Sequence, residues 1–378
     1  MGIAIIVCLS YNILLGEGGM LSFGHAVYSG VGAFLAIHTL NGLAHHGFPV
    51  SLIPIAGGLG SAAVALLLGW VCTQKSGTPF AMITLGVGEL VWAVAQMLPE
   101  FFGGEAGVSG NRVVGSQPFG ISFGTPTQMV YLVAVYTFVC TAMMFALTGT
   151  PLGRMLNAVR DNPERVEFIG YNPRVIRLMA FVIAAFFAGI SGGLAALHFE
   201  MVSTDVFSGT RSGAYLLFTY LGGATLFIGP LVGAVLMVLA QVCLSEFTRA
   251  WPLYLGLIFI VMVRYAPGGV ACLVMLNLRL ARDVRRLWVG YLALFASLWV
   301  ALLGASAIVE MIYHLQHGDA FGPTLAFMGC TLNINGLNSW LGAVFVMVTG
   351  WGLFELCRCQ FVKYRHKLTQ TIEIRNAS

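Results

Sequence analysis

GTPLGRMLNAVRDNPERVEFIGYNPRVIRLMAFVIAAFFAGISGGLAALH, residues 149–198, places two kinds of sequence side by side. Its second part, 178–198, carries no Asp, Glu, Lys or Arg. That is the length a helix needs to cross a hydrocarbon core. Its first part holds eight charges between Pro151 and Arg177. Pro151 and Gly153 close the apolar run that precedes it. From Arg154 onward, Met155, Leu156, Val159 and Val166 interleave with charged groups at helical spacing. Asp161-Asn162-Pro163 reads as a turn and helix start, with Pro where its missing N–H costs little. Gly170 and Asn172-Pro173 break the chain again. Two short helices at a membrane face, then a span, are predicted. The apolar positions of the short helices are expected to point off the bilayer, as a docking site for a soluble partner requires.

The rest of the chain has the same grammar. Of 378 residues, 58% are hydrophobic and 9% charged, against about 25% charged in a soluble domain. This excludes a soluble enzyme, a nucleic-acid-binding protein and a disordered chain. The net charge of +4 is therefore not a nucleic-acid signal. Residues 1–150 hold only six charges, whereas 279–286 alone hold five, four of them Arg. The last 22 residues hold six, five of them basic. Alternating ten-residue segments of a transmembrane barrel are missing from the pattern. Helices are the default way to satisfy a backbone in lipid, so the fold expected is an all-α polytopic transmembrane bundle. The eight Cys show no C-x-x-C or Cys/His ligand spacing and read as packing groups. The pair His45-His46 is a weak metal candidate, and no metal site is predicted.

Candidate spans are 2–15, 22–40, 51–72, 79–98, 129–149, 178–198, 211–227, 229–246, 252–270, 287–311 and 339–356. This makes about 10–11, with Gly-rich breaks in several. Lys and Arg mark the cytoplasmic side. Segments 151–177 and 279–286 and the tail from Arg358 are therefore expected inside, and loops 99–128 and 312–338, with only Arg112 between them, outside. The first span is short, and an upstream helix is expected. LLGEGGMLSFG (14–24) and YLGGATLFIG (220–229) echo each other as Gly-rich breaks between apolar helices, a feature of transporters with broken helices along the substrate path.

Segment 149–181 resembles the cytoplasmic coupling loop of ABC importer permeases, in the form found in branched-chain amino acid permeases. The matching positions are Gly153, Arg154, Ala158, Arg160, Asp161 and Asn162, closed by Gly170. YNILLGEGGMLSFGHAVYSGVGAF (11–34), TPFAMITLGVGEL (78–90), FFGGEAGVSG (101–110), FTYLGGATLFIGPLVGAVL (218–236) and YAPGGV (265–270) are similar to further signatures of that family, in the family's order. The resemblance covers roughly residues 10–272 and is to the second, M-type, permease of leucine/isoleucine/valine importers. Ala224 and Thr225 stand where the family commonly has Gly. Residues 1–278 then form the permease domain. Residues 279–378 are an extension with two further spans and a basic cytoplasmic tail that touches anionic lipid.

The resemblance implies a transporter subunit rather than an enzyme. It implies alternating access in the bacterial inner membrane, a second permease subunit, two cytoplasmic ABC ATPase subunits and a periplasmic solute-binding protein. ATP and Mg would sit on the ATPase subunits. This chain has no G-x-x-x-x-G-K-[ST] and is expected to bind no cofactor. Gly153, Arg154, Ala158, Arg160, Asp161, Asn162 and Gly170 would form the ATPase-coupling loop. Candidates for the substrate path are Ser22 and His25 in the LSFGH motif, Glu89 as an intramembrane carboxylate, and Gly222 and Gly223 in the late motif. His25 also reads as a helix-end histidine capping backbone. Rival readings are a permease for urea, an amide or a sugar in the same superfamily, and an ion-coupled secondary transporter, which would rest on Glu89 alone. An intramembrane enzyme has neither H-E-x-x-H nor G-x-S-x-G to stand on.

Overall fold

The structure is a computed structural model. It describes residues 1–43, 48–104, 106–113, 123–247, 251–265, 268–280, 287–316, 324–327, 330–333 and 336–377. His45, His46, Arg282, Arg285 and Arg286 lie outside the described residues.

Each of the eleven segments read as spans contains helix among its described residues. In chain order the helices are α1 (Gly2–Asn12), α2 (His25–Leu43), α3 (Ile53–Cys72), α4 (Thr78–Met97), α5 (Pro99–Phe102), α6 (Pro126–Gly149), α7 (Pro151–Asp161), α8 (Pro163–Phe168) and α9 (Pro173–Phe199). They continue as α10 (Gly209–Gly222), α11 (Gly229–Leu239), α12 (Ser245–Phe247), α13 (Trp251–Tyr265), α14 (Gly269–Leu280), α15 (Leu287–Gln316) and α16 (Leu337–Ala377). Among the described residues six helices are long and apolar enough to cross a membrane: α3, α4, α6, α9, α15 and the first half of α16. α13 and α14, bent by 53°, make a seventh if they form one broken span. The segments at 2–15 and 229–246 form shorter apolar helices.

Two compact units divide the chain. One comprises residues 1–246 and 255–274, the other 247–254 and 275–378. The first is built around α9. Of the apolar window of α9, 67% is buried, against 11% in α6. α9 is therefore the central post and α6 a peripheral helix. Ala180, Phe181, Ala184, Ala188 and Leu194 of α9 share a core with Ile6 and Leu9 of α1, Tyr28 of α2, Ala65 of α3 and Phe80 of α4.

Lipid tails are as apolar as Leu, so membrane helices gain stability from close backbone approach and interhelical hydrogen bonds. Both operate here. A Cβ on Gly32 of α2 would collide with the backbone of Gly189 of α9, one on Gly57 of α3 with the Gly32 carbonyl, and one on Gly192 of α9 with the Ser29 carbonyl. Ser61 Oγ of α3 donates to the Tyr28 carbonyl at 2.7 Å, and Ser191 Oγ of α9 to that of Ile3 at 2.9 Å.

At the end of α9 the chain is fastened by a short antiparallel pair. Strand β1 (Val108–Ser109) meets β2 (Met201–Val202), Val108 facing Val202. Arg112 ties this loop down. Its Nη1 donates to the carbonyls of Leu197 and His198 at 3.2 and 3.1 Å, and its Nε lies 3.7 Å from Glu200 Oε1. The described part of the Gly-rich loop is thus pinned to the C-terminus of α9.

In the second unit α15 and α16 pack as a hairpin. A Cβ on Gly304 would meet the Met347 backbone, and one on Gly350 that of Ala301. Ala307, Met311 and Ala343 form its small core. Between these helices β3 (Thr324–Phe327) and β4 (Cys330–Asn333) pair antiparallel, Phe327 facing Cys330.

Candidate functional site

Three successive helices start the same way. Thr150, Asn162 and Asn172 each precede a Pro, and each side-chain oxygen accepts a backbone N–H of the first turn: Gly153 for α7, Arg165 for α8, Arg174 for α9. The side-chain cap and the Pro that cannot donate together fix where each helix begins. The sharp turn between α7 and α8 therefore comes from Asp161-Asn162-Pro163, as the sequence predicts. Gly170, at φ +95, turns the chain from α8 towards α9.

One expectation about this hairpin is corrected. Leu156, Val159 and Val166 do not point outward but are buried, in the same core as Phe181 and Ala184 of α9. An amphipathic stripe shows only that one face is apolar, and here the bundle itself covers it. The outer face is charged: Arg154, Arg160, Asp161, Glu164 and Arg165 are exposed, as is Ala158, while Gly153 is buried. Arg160 Nε donates to Asp161 Oδ1 at 3.1 Å. Apolar exposure occurs one turn further on. Phe168 is 90% exposed and Ile169 70%, with Tyr171 beside them. Sequence reasoning missed this trio, although F-I-G-Y between a charged helix and Asn172-Pro173 is a visible signal.

α7 also meets the first Gly-rich break, through Asn157 and the outer-face residue Arg160. α1 runs into a π-helical turn, Ile13–Glu17, a form that concentrates at functional sites. Asn157 Nδ2 donates to Glu17 Oε2 at 2.6 Å. Arg160 Nη1 donates to the Gly16 carbonyl. Gly19, at φ +61, lies against the Arg160 side chain, where a Cβ would come within 2.7 Å of Cγ. On its far side the break touches the second break, because a Cβ on Gly16 would collide with the Ala224 carbonyl. The two sequence echoes are spatial neighbours. Glu17 had drawn no attention, since nothing local announces a partner 140 residues away.

The break is also where buried polar groups gather. His25 and Ser22 are fully buried. Ser10 Oγ donates to the Val7 carbonyl at 2.8 Å, so its 2.9 Å contact to His25 Nε2 assigns the ring proton to Nε2. His25 thus bridges α2 to α1 rather than capping backbone. Tyr11 adds a 2.8 Å hydrogen bond to the Ser22 carbonyl, its ring edge-on to His25. Asn12 Oδ1, Ser22 Oγ and His25 Nδ1 have no protein partner. Buried polar atoms are normally paired, which sets this region apart from the surrounding core.

The remaining candidates lie elsewhere. Gly222 and Gly223 are packed backbone to backbone with Gly229, Gly233 and Gly269, Gly223 at φ +115. Glu89 is exposed near the middle of α4. Its Oε1 is 3.2 Å from the position of a Cβ on Gly209, at the start of α10, where Arg211 is also exposed.

Residues 1–266 match the family described as branched-chain amino acid transport system / permease component. The high-affinity branched-chain amino acid transport system permease protein LivM of Escherichia coli K12 is 30% identical over 289 residues, 71% of this chain and 67% of that protein. The protein of the same name from Salmonella typhimurium LT2 shows the same identity and coverage. The corresponding permease protein LivH of Salmonella typhimurium LT2 is 20% identical over 260 residues, 64% of this chain and 82% of that protein. No solved structure matches. A multi-pass helical bundle, five signatures in order and a match over residues 1–266 lead to one conclusion: this chain belongs to the permease components of branched-chain amino acid transport systems.

Proposed function

We propose that the chain is one of two permease subunits of an ATP-driven importer that moves branched-chain amino acids across the bacterial inner membrane. The α7–α8 hairpin, on the cytoplasmic side, receives the stroke of a separate ABC ATPase. A periplasmic solute-binding protein delivers the substrate, and residues 279–378 add to the permease body of 1–278. The observation that carries this reading is the hairpin itself. Its apolar face is bonded into the bundle core while Arg154, Arg160, Asp161, Phe168 and Ile169 stand outside it. A lever must be rigid towards the spans and free towards its driver, and this element is both. ATP and Mg²⁺ belong on the partner ATPase. Glu89 belongs on the translocation path, because a carboxylate halfway along a membrane helix faces water or protein rather than lipid.

The test is to purify the tagged chain in mild detergent from its native host, with its neighbours, and to reconstitute it in vesicles. A second permease and two ATPase subunits are expected to accompany it, with ATP-dependent leucine uptake on adding the binding protein. Purification of the folded chain alone, with uptake driven by an ion gradient, would overturn the proposal.

Phe168 supplies a sharper version. Truncation or charge at an apolar anchor in the centre of an interface costs roughly 2 kcal/mol or more. Phe168→Asp is therefore expected to cut the ATPase recovered per permease by about tenfold or more, with membrane abundance unchanged. An unchanged ratio would remove Phe168 from the contact.

A further inference from the structure

We propose that Glu17 is a positioning residue for transport: Asn157 and Arg160 hold Glu17 and the Gly16 carbonyl, so that movement of α7 is transmitted directly into the first Gly-rich break and the head of α2. This rests on the reading of α7–α8 as the contact for the ATPase, and names the route by which that contact reaches the membrane.

Four observations converge on it. The link has two hydrogen bonds from adjacent turns of α7, at Asn157 and Arg160. Two attachments fix direction as well as distance, which a single one would not. Glycine at 19 lets the aliphatic part of Arg160 lie on the chain itself. The receiving element is deformable: a π-helical turn followed by Gly18 and Gly19, the latter at φ +61. Flanking it in the chain are Asn12 Oδ1 on one side and Ser22 Oγ and His25 Nδ1 on the other, buried without protein partners. A segment with polar atoms unpaired in one arrangement has something to gain in another, as a two-state element must. The contact of Gly16 with Ala224 carries the same movement to the second break.

Glu17 is half-buried and bonded to Asn157, and it is not one of the exposed groups of the outer face offered to the ATPase. Its replacement therefore separates transmission from docking. In vesicles containing the complete transporter and binding protein, leucine uptake and ATP hydrolysis are measured together. Glu17→Ala is expected to lower the leucine moved per ATP by about fivefold or more, the scale of a single coupling interaction, with ATPase recovery unchanged. Glu17→Gln keeps a carbonyl that accepts from Asn157 and is expected to restore most of the ratio. Combining Glu17→Ala with Asn157→Ala is expected to add little to either alone, as for two ends of one contact. Should Glu17→Ala fail to accumulate, Asn157→Ala gives the same reading, since Leu156 and Val159 still anchor α7.

An unaltered ratio in these variants would overturn the inference, as would a loss of uptake matched by an equal loss of bound ATPase. Failure of the wild-type chain to bring down any ATPase would instead defeat the docking reading on which it rests.

Discussion

Asp161→Arg is expected to abolish uptake while leaving the folded chain at its normal level. Asp161 is the last residue of α7 and its side chain is 69% exposed. Its ion pair with Arg160 is at the surface, where such pairs contribute about 0–1 kcal/mol. A cation at a helix C-terminus also suits the helix dipole. Stability therefore changes little. Docking changes much. The substitution releases the Nε of Arg160 from its carboxylate and sets Arg160, residue 161 and Arg165 together as a run of cations. Disrupting a hydrogen-bonded charge at an interface costs about 2–5 kcal/mol, a factor of roughly 30 to several thousand in affinity. Labelled-leucine uptake in vesicles, beside membrane abundance and elution profile in detergent, makes the comparison. Normal uptake at equal abundance would rule out the hairpin as the coupling site.

The second large effect is on the fold. Gly192→Ala is expected to leave little folded protein. At that position a Cβ would run into the Ser29 carbonyl of α2, with the Ala33 nitrogen also close. The obstruction is backbone, so no side chain can swing aside, and α9 and α2 must separate. Overpacking of even a tolerant core costs about 1–3 kcal/mol. Here the separation would also loosen the neighbouring contact of Gly32 with Gly189 and remove apolar packing along the central helix. Gly86→Ala in α4 is the control, because nothing lies within 4 Å of its Cβ position and Ala is the better helix former by about 1 kcal/mol. Size-exclusion profiles of fluorescent fusions should show loss of the monodisperse peak for the first and none for the second. Equal peaks would mean that the α2–α9 crossing is looser than described.

These two sites also mark what sequence could and could not reveal. The hairpin was legible because its signals are local: Asn162-Pro163 and Asn172-Pro173 start helices by a cap and a ring within a few residues. Six or seven of the spans were legible because hydropathy is additive along the chain. Hydropathy does not say which apolar helix is central. α6 and α9 have equal mean hydropathy, 2.1, yet very different burial. Small residues at 184–193 were the only hint. Direction was equally hidden. The stripe of Leu156, Val159 and Val166 was seen, but whether it faced a partner or the bundle depended on α9 lying behind it. The contacts that matter most to the proposed route, Asn157 to Glu17 and Gly16 to Ala224, join residues far apart in the chain. No period or motif in one sequence records such pairs.

The π-helical turn at Ile13–Glu17 carries one more consequence. Such a turn is an α-helix holding one residue more than its pitch admits. Deleting a residue there would let the turn close to ordinary α-helix. The wide turn that sets Glu17 against Asn157 and Gly16 against Ala224 would be lost. Between Tyr11 and Gly16 it is the number of residues, before their identity, that specifies the machine. A one-residue gap there would be costlier than any exchange of one apolar side chain for another.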